Sequence, residues 1–244
     1  MSIPFPHVGY SERSRKRIRV FHAGHMLVDT RKSKLVWEHV FYPSYYVPIN
    51  DVDENFFEHS GGDEEADMYD IIVGDRRSAA AAQLFKHGDL KGWLKIAFDK
   101  VDSWFEEDEE IFVHPKDPYK RVDVLQSSRE VRVEINGVEL AKTNKPRLVF
   151  ETGLPVRTYI PKTDVHLEYL EPSDLMSACP YKGVASYYDV RLPNGGEQLE
   201  GLVWWYRNPN AECSDIKGYV AFYDEKVDVF VDGERVARPR THLG

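Results

Sequence analysis

The chain has 244 residues, of which 42% are hydrophobic and 13% aromatic, with a formal charge of −9 at pH 7 and a pI near 5.5. That length suits one large domain or two of ordinary size with packed cores. The acidic balance disfavours a broad nucleic-acid footprint or adhesion to an anionic membrane, and no apolar run approaches the length of a membrane span.

The first sixteen residues carry prolines and a basic group at Arg13, Arg15 and Lys16, with no apolar segment behind them, so they read as a short surface arm rather than a signal peptide. Ile18 to His22, Ala23-Gly24 and His25 to Thr30 then form an opening hairpin. Farther on, Ala79 to Lys86 has helix propensity but aligns with a strand-like stretch of the second half, and a strand or short irregular turn is expected there. The bridge 104–121 is acidic, then proline-bearing, then basic. Its aromatic residues predict a segment ordered against a domain surface, and hence a fixed relative orientation of two units.

Two units are expected because the chain repeats itself. Displaced by 113 residues, Arg19 to Val52 aligns with Arg132 to Val165, and 13 of the 34 positions are identical. Among them are Thr30 with Thr143, Glu38 with Glu151, Tyr46 with Tyr159, and Asp51-Val52 with Asp164-Val165. Changes of offset extend the match through Tyr69-Asp70 with Tyr188-Asp189 and Gly92 with Gly218. The organisation predicted is an arm (1–16), a first β domain (17–128, including a bridging segment 104–128) and a second β domain (129–244).

In the second copy, Val131 to Ile135 alternates apolar and charged residues, Asn136-Gly137 is a type I′ turn signal, and Val138 to Thr143 returns. Strands are predicted over 147–152, 157–160, 164–170, 184–192, 198–207, 218–223 and 226–231, with a turn at 193–196. Many short strands with regular turns define an all-β fold: two homologous antiparallel sandwiches or partly open barrels in tandem.

The chemistry-bearing stretch is Cys179-Pro180-Tyr181-Lys182-Gly183, whose place in the first copy is taken by an acidic loop, 59–67. Pro180 and Gly183 fix the ends of the stretch. The Lys182 ammonium then either binds an anion or lowers the pKa of the Cys179 thiol, or else the segment is a rigid loop with a buried Cys. Glu38 and Glu151 end the same strand in both copies, as pocket carboxylates or as ion-pair partners of residues such as Arg19 and Arg132. Trp204 and Tyr206 share one strand face, and Trp205 takes the other; one face is core and the other a stacking wall or further packing. His22 and His25 flank the first hairpin turn without a third ligand, so no metal is expected, and His166 is a partner for Cys179 only by default.

These residues resemble the domain of unknown function 427 family, also labelled nucleotidyltransferase-like. The resemblance rests on Val131 to Gly137, Glu151-Thr152, Tyr159-Ile160-Pro161, Asp164-Val165, Cys179 to Gly183, Tyr187-Tyr188, Trp204-Trp205-Tyr206, Gly218 to Tyr223 and Val227-Asp228. The first copy is similar through Trp37-Glu38, Tyr42 to Tyr46 and the run 104–124, but lacks Cys-Pro-Tyr-Lys-Gly and Trp-Trp-Tyr. The resemblance implies a compact β fold related to the β-tent proteins and no established activity. The chain has neither a nucleotidyltransferase Gly-Ser motif with paired aspartates nor a P-loop, and it lacks the paired Cys-x-x-Cys of a structural zinc site.

The functional expectation is a small anionic or ring-containing ligand held in the second copy, with Tyr159, Tyr181, Trp204 and Tyr206 as walls, and with Glu38 and Tyr46, the first-copy counterparts of Glu151 and Tyr159, as further ligand-binding candidates. An enzyme using Cys179, Lys182 and Glu151 in transferase or hydrolase chemistry, and a non-catalytic protein-interaction module, are the alternatives. No cofactor, nucleic acid or membrane partner is expected, and a second copy of the chain or another protein is a candidate partner. Two cysteines without a secretory signal favour free thiols and a cytoplasmic setting.

Overall fold

The computed structural model describes residues 5–193 and 198–240, so most of the turn expected at 193–196 lies outside it. The chain divides into Met1–Tyr119 and Lys120–Gly244.

In the first unit a seven-stranded antiparallel sheet has the order β1-β4-β5-β9-β8-β7-β6, from β1 (Ser11–Arg13), β4 (Lys34–Val36), β5 (Ser44–Pro48), β6 (Phe57–Gly62), β7 (Ala66–Val73), β8 (Arg76–Phe85) and β9 (Trp93–Ile96). Against it lies a four-stranded sheet, β11-β10-β2-β3, from β2 (Ile18–His22), β3 (His25–Thr30), β10 (Ser103–Glu106) and β11 (Glu109–Ile111). The second unit repeats both. Its large sheet runs β12-β15-β16-β20-β19-β18-β17, from β12 (Val122–Gln126), β15 (Arg147–Glu151), β16 (Arg157–Pro161), β17 (Leu170–Cys179), β18 (Gly183–Val190), β19 (Leu199–Tyr206) and β20 (Tyr219–Phe222). Its small sheet runs β14-β13-β21-β22, from β13 (Val131–Ile135), β14 (Val138–Thr143), β21 (Asp228–Val231) and β22 (Glu234–Arg235).

The identities between the copies mark shared local devices. In both opening hairpins the turn pair sits at positive φ, Ala23 and Gly24 in one and Asn136 and Gly137 in the other, as a type I′ turn requires. The Ala23 amide is tied down by Asp102 Oδ2 at 2.7 Å. Thr30 Oγ1 donates to Asp51 at 2.6 Å and Thr143 Oγ1 to Asp164 at 2.7 Å, each anchoring the turn after the third large-sheet strand of its unit. Beside these, the carboxylates of Asp70 and Asp189 accept the amides of Ala80 and Gly201 at 2.8 and 2.7 Å, where the sheet register shifts.

Three expectations change. Residues 164–170 are not a strand: 3-10 turns at Lys162–Asp164 and Leu167–Tyr169 follow Pro161, and the strand starts only at Leu170. The arm is not wholly free, because Ser11–Arg13 is an edge strand on β4. The boundary between units falls at 119/120 rather than 128/129, since Val122–Gln126 pairs with β15 of the second unit. Residues 76–85 form a strand, and no α-helix occurs among the described residues.

Each unit has its own core between its sheets, with Ile18, Val20, Leu27, Trp37, Tyr45, Leu94 and Trp104 among the buried residues of the first. Val131, Val133, Leu140, Ile160, Leu202 and Phe222 hold the second. The second unit adds an aromatic layer on the outer face of its large sheet, roofed by a 3-10 segment at Ala211–Ile216.

Candidate functional site

The Cys-Pro-Tyr-Lys-Gly stretch is the tip of the hairpin between β17 and β18, whose pairing runs to Cys179 opposite Gly183. Gly183 takes φ +102°, and a Cβ there would lie 3.2 Å from the Asn208 carbonyl oxygen. The loop before the 3-10 roof clasps this tip: the Asn210 amide donates to the Lys182 carbonyl at 3.1 Å and its Nδ2 to the Pro180 carbonyl at 2.9 Å.

Lys182 turns inward. Its Nζ lies 2.5 Å from Glu151 Oε1, and both side chains are about nine-tenths buried. Burial pulls the ammonium down, but Tyr159, Glu151 and Cys179 around it outweigh that pull and hold it above its usual range. That is the opposite of the depressed value a lysine nucleophile or base needs. Tyr159 is fully buried and accepts the Trp204 indole N–H at 3.0 Å, while burial pushes its phenol up to about 12. Tyr206 and Trp204 belong to the same buried layer, and burial also raises the Tyr206 phenol. Tyr181 and Cys179 are half-buried. Both cysteines are free thiols, and burial pushes the fully buried Cys213 up to about 11.

The fold therefore gathers Glu151, Tyr159, Cys179, Lys182, Trp204 and Tyr206 around one hairpin tip. The first copy meets the same carboxylate with another cation: Glu38 takes Lys95 Nζ at 2.7 Å, the Tyr46 hydroxyl at 2.9 Å and the Ser44 hydroxyl at 3.0 Å. Burial opposes the Glu38 charge, but these partners hold its pKa below the usual value. By strand register Lys95 corresponds to Ala221, not to Lys182. The suggested arginine partners are also corrected, because Arg19 pairs with Asp108 and Arg132 with Glu134 beside it.

The remaining sequence candidates scatter. Trp205 leaves the outer layer for the opposite face, stacked on Tyr188 at 5.9 Å and capped by Lys162. His22 is buried with Nδ1 3.4 Å from Asp102, His25 packs on Phe56, and His166 sits between Glu168 and Glu139. Among the described residues no group of three His, Cys, Asp or Glu side chains is placed to hold a metal ion.

A cavity of about 410 Å³ in the second unit was not foreseen. Leu148, Phe150 and Thr158 of the large sheet and Val131, Val229 and Val231 of the small one line it, with the chain at Val236–Pro239 along one side. Its polar groups are few: Asp224, Thr158, Arg129 and Arg238. Burial, opposed by Arg157 nearby, pushes the Asp224 carboxyl up to about 7. No sequence motif points to this place, because β15, β16, β13 and β21 meet there only after folding.

The fold defines a tandem of two-sheet β units, one of which carries a buried Lys–Glu pair and an open cavity between its sheets. The chain belongs to the family described as domain of unknown function 427, whose model matches it twice, over residues 10–107 and 123–233. No curated protein matched the chain.

Proposed function

We propose that this protein is a small-molecule binder whose binding site is the cavity between the sheets of the second unit. One observation carries the reading: a mostly apolar cavity of about 410 Å³ with a few converging polar groups, Asp224, Thr158 and Arg129, has the size and character of a ligand pocket. The Lys182–Glu151 cluster takes a different role in this reading. Its ammonium and carboxylate already neutralise each other out of water, so it locks the hairpin tip to the sheet instead of offering a free charge.

A thermal-shift screen of the full chain against organic acids, nucleotides and sugar phosphates, beside Val229→Trp, tests it. Ligands at about 100 times their Kd stabilise by about 2.7 kcal/mol, which reads as a shift of about 5–10 °C. Hits that vanish in Val229→Trp support the site; an empty screen, or hits indifferent to that substitution, sinks it. Thiol chemistry at Cys179 is the second reading, supported by a half-buried free thiol at the hairpin tip beside Lys182. Alkylation of Cys179 well below the pH expected of a free thiol would favour it.

A further inference from the structure

The two copies treat one place in their common architecture in opposite ways. Strand register equates Tyr45 with Thr158, since each stands across from the matching leucine, Leu35 or Leu148, on the neighbouring strand. It equates Trp104 with Val229, each paired to the matching valine, Val20 or Val133. Phe98 corresponds to Asp224, three residues past Lys95 and Ala221, which pair with Tyr46 and Tyr159. In the first copy Tyr45, Trp104 and Phe98 form a parallel stack, with Tyr45–Trp104 centroids 6.4 Å apart at 19° and Trp104–Phe98 5.5 Å apart at 8°. Trp37, the counterpart of Phe150, is also fully buried beside them in that core. In the second copy all three ring positions carry smaller side chains, and Thr158, Val229 and Asp224 all line the cavity.

We propose that the cavity takes a small planar aromatic acid, whose ring occupies the slot filled by the ring stack of the other copy and whose anionic group meets Arg129. The reading rests on the cavity being the binding site. The flat slot follows from the two sheets, which are held alike in both copies while only one fills the gap with its own rings. A planar ring recovers the packing contacts that Thr158 and Val229 leave unmade, where water gains few partners. The anionic group follows from Arg129, which lines the cavity and whose guanidinium has no hydrogen-bond or ion-pair partner among the described residues. Arg238, by contrast, is held by Asp228 at 2.8 Å. Asp224 also lines the cavity, and its carboxyl can accept a ring N–H or hydroxyl.

The test is a titration of the isotope-labelled full chain, followed by amide chemical shifts, with indole-3-acetate, indole and cyclohexylacetate. The expected result is perturbation centred on Val131, Thr158, Val229 and Val231, with indole-3-acetate binding at least tenfold more tightly than either of the others. Arg129→Ala lies on the surface and should bring indole-3-acetate down to the level of indole while leaving indole unchanged. Val229→Trp should abolish binding of all three, and where that variant does not fold, Asp224→Phe serves in its place. Cyclohexylacetate binding as tightly as indole-3-acetate overturns the planar ligand and leaves the cavity as the binding site. Perturbation elsewhere, or none, overturns both. An Arg129→Ala chain that binds indole-3-acetate undiminished removes the anionic group from the proposal.

Discussion

Single side chains decide what the second unit can do, and the buried ones are tied together in charge. Lys182 and Glu151 bury opposite charges against each other, so removing one strands the other. Lys182→Met is expected to cost about 3–5 kcal/mol of stability by urea unfolding, far more than the loss of an exposed ion pair. Asp224 adds a dependence on pH. Its folded pKa near 7 stands above the ordinary 3.8, so the native state holds a proton that the unfolded chain has released. Its contribution to stability is therefore present at low pH, is lost as pH rises from about 4 to about 7, and is flat above. The stability difference between the wild type and Asp224→Asn, measured by denaturant unfolding across that range, should fall with rising pH and then level off. A difference that does not change with pH contradicts the assignment. The sequence showed the lysine and the glutamate because each stands in a recognisable stretch. It showed neither Asp224 nor Arg129 as lining a cavity, because the gap beside them arises only when distant strands meet.

Strands and turns were legible wherever pattern and punctuation agreed. The Asn136-Gly137 hairpin, the alternation of β13 and the run ending at Glu151 were all read correctly from local signals. Residues 79–86 show why propensity alone misleads: their alanines favour a helix, yet β7 and β9 flank them on both sides and recruit them into the sheet. Over 164–170 the error ran the other way, because β-prone residues follow Pro161 and the Thr143–Asp164 tie bends them into 3-10 turns. At the hairpin tip the constraint is the backbone at Gly183. Gly183→Ala is expected to destabilise the second unit by about 1–2 kcal/mol, since alanine would take up a left-handed φ and press on the Asn208 carbonyl. Calorimetry of the full chain would show this as a lowered transition, and an unchanged profile would argue against the clasped tip.

At the scale of the whole molecule, the repeat was the most informative thing in the sequence, since one self-comparison gave two domains, a common topology and the positions at which they differ. What it could not give was the meaning of those differences. A Tyr facing a Thr or a Trp facing a Val reads as ordinary drift until the strands place all three exchanges around one gap. The first unit then serves as an internal control for the second: the same strand order with that one slot filled by rings.

The paired glutamates carry a last consequence. Glu38 and Glu151 occupy one position, but their counter-ions come from different strands, Lys95 from the middle of the sheet and Lys182 from a hairpin tip. Neutrality at that spot is thus a debt that either of two places in the chain can settle. Where the sheet interior settles it, the tip owes nothing, and the first copy is free to carry the acidic residues Asp63, Glu64 and Glu65 there. Where the tip settles it, every change of sequence at 180–183 is also a change in the electrostatics of the domain interior.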